Sequence, residues 1–102
     1  MQAGDPDFEL AERFCAALRT QFSAQLKRSG TGYHHMHPEL YFPREFLAHS
    51  FGACVEVGVR AINTHQGETL RALRWDLVID QNGKIEVRIT CDFWVVQSTL
   101  PQ

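Results

Sequence analysis

The chain has 102 residues, 44% of them apolar, with seven Phe and two Trp, which is enough to bury for one folded domain over residues 1–102 and too much for a disordered segment. Ten basic and twelve acidic residues give a net charge of −2 and are mixed along the chain, so no nucleic-acid partner is expected. Three cysteines, Cys15, Cys54 and Cys91, match neither a disulfide framework nor paired metal-ligand spacing and suit a reducing, cytoplasmic setting; no apolar run approaches membrane-spanning length, so no membrane contact is expected.

The opening Met1-Gln2-Ala3-Gly4-Asp5 lacks the basic stretch and apolar run of a secretory leader. A helix is expected from about Asp7 to Arg28. Asp5 suits the N-cap, Pro6 the first helical position, Asp7 and Glu9 the positive end, and Gly30 the position after the last turn. Ala11, Phe14, Cys15, Leu18, Phe22 and Leu26 recur at three- and four-residue steps and form an apolar stripe, which a lone helix must bury to be stable.

Residues 31–50 read as an irregular connection. Three of the five histidines fall in Tyr33-His34-His35-Met36-His37-Pro38-Glu39. In an extended chain His35 and His37 alternate onto one side with Glu39 next in line, a weak zinc-like pattern. His34, His35, His37 and His49, with Tyr33 and Tyr41 as walls, make an alternative small-molecule or metal-dependent site. Leu40-Tyr41-Phe42-Pro43-Arg44-Glu45-Phe46-Leu47 is apolar enough to pack. Pro43 can open a short helical turn ending near Ser50, with Phe46 and Leu47 buried, and a further strand before it would cover a sheet edge.

The rest reads as strands over 51–64, 68–80 and 84–96, joined by His65-Gln66-Gly67 and Gln81-Asn82-Gly83, three-residue loops whose last Gly suits a turn with a bulge. Closing these loops sets Val59 against Leu73, Val57 against Trp75 and Val55 against Leu77. The next pairing sets Leu77 against Val87, Trp75 against Ile89 and Leu73 against Cys91. One face is then apolar and suits the helix stripe. The other carries rows of mixed charge, Asp76 beside Arg88 among them, and one apolar row of Ile62, Leu70 and Trp94.

The expected fold is therefore α+β, one long N-terminal helix on a three- or four-stranded antiparallel meander. An apolar row rimmed by Arg60 and Arg74 has the makings of an interface, with Trp94 as anchor. Catalytic groupings are thin. Cys54 and His49 are near in sequence, yet no oriented base or electropositive pocket accompanies them, and Cys15 and Cys91 fall on buried faces. The expected function is a non-enzymatic interaction module, without cofactor, binding a second copy of itself or another protein.

Overall fold

In the computed structural model the described residues are 5–27, 32–65 and 68–96; for 32–38, 95 and 96 the description is of the backbone alone. Asp5 caps the first helix, α1 (Pro6–Gln21), its Oδ1 accepting from the backbone N–H groups of Asp7 at 2.8 Å and Phe8 at 3.4 Å. Pro6 opens the helix, where its missing N–H has no helical partner to lose. The helix breaks at Phe22 and resumes as α2 (Ser23–Leu26), so the element expected to run unbroken from 7 to 28 is two. Gly30 lies outside the described residues.

Next comes β1 (Gly32–Pro43), where the sequence suggested an irregular connection with a short strand at most. It is followed by α3 (Arg44–His49). The short helix after Pro43 is as expected and Leu47 is fully buried, but Phe46 is 54% exposed.

The largest correction concerns residues 51–64. They form a helix, α4 (Phe51–Asn63), and not a strand. The alternation of Val55, Val57 and Val59 suggested the strand, but the segment also carries Phe51, Cys54, Val55, Gly58, Val59 and Ile62 at helical spacing. The helical pattern wins because α1 offers it a partner. Cys54, Gly58 and Ile62 form the buried face, and a Cβ placed on Gly58 would stand 2.9 Å from Leu18 Cδ2. Glycine is what lets the two helices approach so closely.

Two strands complete the chain, β2 (Glu68–Ile79) and β3 (Ile85–Val96). Their hairpin matches the sequence reading. The N–H of Asp80 donates to the Lys84 carbonyl at 2.8 Å, and Gly83 takes the left-handed conformation, φ 79°. The pairs Leu77–Val87, Trp75–Ile89 and Leu73–Cys91 stand as expected. The loop at His65, by contrast, joins a helix to a strand, and its Gln66 and Gly67 lie outside the described residues. The sheet order is β1-β3-β2, antiparallel throughout. It is an α+β fold with the N-terminal helix on the sheet, but β3 is central and the order is not that of a meander.

The core lies between the helices and one sheet face. Phe14 of α1 is its hub, edge-on to Phe42 of β1 at 4.8 Å and to Phe51 of α4 at 5.8 Å. Leu73, Val87, Ile89, Cys91 and Phe93 close it from the sheet side, with Leu47 of α3 and Cys54 of α4 in the same cluster. Asp7 and Arg44, 3.1 Å apart, tie the start of α1 to the start of α3.

Candidate interaction surface

Because α1, α3 and α4 all feed the core on one side, the other face of the sheet is left without a helical layer among the described residues. Antiparallel sheets tolerate this, with polar groups alternating outward from the buried face. On the central strand, Arg88 gathers neighbours from both sides. Its Nε donates to Asp76 Oδ1 of β2 at 2.8 Å, and its Nη2 bonds the second Asp76 oxygen, a two-pronged pair that matches the fork of the guanidinium to the carboxylate. Toward β1, Arg88 lies 4.0 Å from Glu39, and Glu39 accepts from the Tyr41 hydroxyl at 2.7 Å. The hydrogen bonds from Arg88 hold the Asp76 carboxyl below the usual carboxylate range, against a smaller opposing effect of desolvation.

A second cluster lies further along. Between Leu70 and Ala72 the register with β3 slips by one residue: Leu70 pairs with Phe93, Ala72 with Asp92, and Arg71 is the extra residue of a bulge. Arg71 Nη1 reaches Asp92 Oδ2 at 2.5 Å, and its guanidinium carbon stands 5.3 Å from the centre of the Trp94 ring. Asp92 is only 3% exposed, although it belongs to the open face. A buried carboxylate needs a partner, and Arg71 supplies one. The cation over the indole adds ~0.5–1 kcal/mol at a site this exposed.

This bulge undoes the apolar row expected from the sequence. An unbroken register would set Leu70 beside Trp94 on the open face; one extra residue turns Leu70 to the core, where it is fully buried. Ile62 is on α4 and also buried, at 4% exposure. Of the three only Trp94, half-buried, remains on the open face. Arg74 is there too, exposed and paired in register with Thr90. Arg60 is elsewhere, lining an open groove of about 400 Å³ between the end of α1 and α4 with Gln21, Val55, Glu56, Val59 and Asn63. The expected row is therefore split among core, open face and helical layer.

The histidine-rich alternative is only partly visible. Tyr33, His34, His35 and His37 are paired in register with Val95, Trp94, Phe93 and Cys91, and their side chains lie outside the described residues. The register shift between His37 and Leu40 takes Glu39 out of simple alternation with His35 and His37. Tyr41 is 47% exposed on the open face, and His49 is exposed in the last turn of α3. Among the described residues no three His, Cys, Asp or Glu side chains come together as metal donors. All three cysteines are buried free thiols. Burial raises Cys15 and Cys54 and pushes Cys91 up to about 11, the opposite of what a nucleophile needs.

Glu39 and Tyr41, expected in the histidine-rich alternative site, instead join the open face beside Arg88, a place the sequence does not reveal while β1 is not read as a strand; the role of Arg71 is hidden because nothing in its sequence marks a bulge. No described helix is long and apolar enough to cross a membrane. No family model, no curated protein and no solved structure matches this chain.

Proposed function

We propose that this chain is a small non-enzymatic interaction module that associates, through the open face of its sheet, with a second copy of itself. The observation that carries the reading is the one-sided packing of the helices. It leaves a face on which Trp94 and Tyr41 offer apolar surface while Arg71, Arg88, Asp76 and Asp92 are held in fixed pairs. Aromatic anchors among pre-ordered charges suit association, since little side-chain freedom is left to lose on binding.

Light scattering across a concentration series tests this. The expected mass is twice 11.7 kDa for the wild type, and one chain for Trp94→Asp with its circular dichroism unchanged. Arg74→Glu, exposed on the same face, is expected to weaken the dimer without touching Trp94. A wild-type chain of single mass at every concentration would sink the proposal.

A further inference from the structure

We infer that the two copies stack face to face with their strands reversed, so that the Trp94 end of each open face lies over the Asp76 end of the other. The inference rests on the reading of the open face as the self-association surface and fixes which way round the copies meet.

Charge is divided unevenly along that face. At the Trp94 end it carries Arg71 and Arg74, and the one acid among the described residues there is Asp92, 3% exposed and already paired with Arg71. The stretch of β1 that runs beside this end, residues 32–38, contains no acid in its sequence. The opposite end, next to the β2–β3 hairpin, holds Asp76, Glu39 and Glu86 around Arg88. Glu86 belongs to it because it stands two residues before Arg88 on β3 and so points to the same side of the sheet. The hairpin itself adds one charge of each sign, Asp80 and Lys84, which cancel. Among the described residues, one end is thus net positive and the other net negative.

Arg71, Asp76 and Glu39 are paired, yet each leaves between 38% and 49% of its side chain exposed, so these charges keep a side turned outward. The edge at β2 is a poor rival to the face as a contact. There Gln25 Oε1 accepts from the Leu70 N–H at 2.8 Å, and Arg19 Nη2 donates to the Leu73 carbonyl at 2.8 Å. An incoming strand would have to displace both side chains.

Two copies with their strands aligned can be related by a two-fold axis in the plane between the sheets in two ways. An axis along the strands lays like ends over one another, positive on positive and negative on negative. An axis across the strands reverses one copy and lays unlike ends together, and the symmetry makes the match twice in each interface. Stacked sheets lie ~10 Å apart, within the combined reach of an arginine and a carboxylate side chain. The net charge of −2 on each chain opposes association in either orientation alike, so the distribution makes the choice. Reversal also brings Trp94 of each copy to the end that holds the other's Tyr41, and apolar surface then meets apolar surface at both ends.

Salt and charge reversal test the inference on the full chain. The wild-type dimer, followed by light scattering, is expected to weaken roughly tenfold between about 50 mM and about 500 mM sodium chloride, because salt screens the attraction of unlike ends; like ends stacked together would tighten instead. Arg74→Glu and Glu86→Arg, each with unchanged circular dichroism, are expected to dimerise roughly tenfold more weakly alone. Mixed in equal amounts, they are expected to form a dimer of one copy each at near wild-type affinity, since every reversed charge then meets its opposite; native mass spectrometry separates that species by mass. Should either variant fail to fold, the salt dependence of the wild type decides. A dimer that holds or tightens in salt, or an equal mixture with no preference for the mixed species, would leave self-association standing and overturn the reversed stacking. A single chain at every concentration overturns both.

Discussion

Arg88 and Asp76 show how much one register position decides. Their pairing follows once the Asp80–Lys84 hairpin closes, and the two-pronged contact holds the Asp76 carboxyl below its ordinary value. A group shifted in that direction contributes stability that is fully present above its unfolded value and is lost as pH falls through the folded one. Asp76 is half-exposed, so the contribution is small and screened by salt. Urea unfolding below pH 5 is expected to lose stability less steeply for Asp76→Asn than for the wild type, with the gap closing in high salt. Equal slopes would mean that the pair is not held in solution. This pair was legible in the sequence because charges directly opposite one another follow from loop length and alternation alone. The bulge at Arg71 was not, for it contains no glycine and no other local mark; what favours it is the burial of Leu70 on the far side of the sheet.

At the scale of elements, α4 carries two patterns at once. Val55, Val57 and Val59 alternate as a strand would, and Cys54, Gly58 and Ile62 step by four as a helix does. Local preference could not choose between them, since β-branched residues lower helix propensity only slightly. The choice was made by α1, whose Leu18 lies against Gly58. The expected strand over 51–64 would have lain beside β2, whereas β1 joins the sheet at the opposite edge, beside β3, so the sequence reading missed two successive segments in two different ways. Its start and end were right, with the Asp5 cap, the β2–β3 hairpin and the apolar faces of α1, β2 and β3 all where local chemistry put them. Gly58→Val is expected to cost about 1–3 kcal/mol, the usual range for overfilling a packed contact, seen as a lower urea midpoint with an unchanged slope. The same substitution in a Leu18→Ala background should cost less, because the removed side chain leaves the space that valine needs. Equal costs in the two backgrounds would place the damage somewhere other than the helix contact.

The molecule as a whole has one core, and the three thiols sample it from three elements: Cys15 on α1, Cys54 on α4 and Cys91 on β3, none more than 3% exposed. A water-soluble disulfide reagent at pH 8 is expected to leave all three untouched in the folded chain. In rising denaturant the three should become reactive together, in step with the loss of helix and sheet signals, as one cooperative unit requires. A thiol that reacts early would reveal a subregion that opens alone. The finish of the sheet edge at β2 bears on a different matter, whether a further strand can add there. A sheet that accepts strands at both ends can lengthen without limit, and that is the route to fibres. At β2, Gln25 accepts from the Leu70 N–H and Arg19 donates to the Leu73 carbonyl, so two backbone groups that an added strand would need are already taken; removing either side chain is expected to be felt less in the urea midpoint than in a greater tendency to aggregate, read by light scattering.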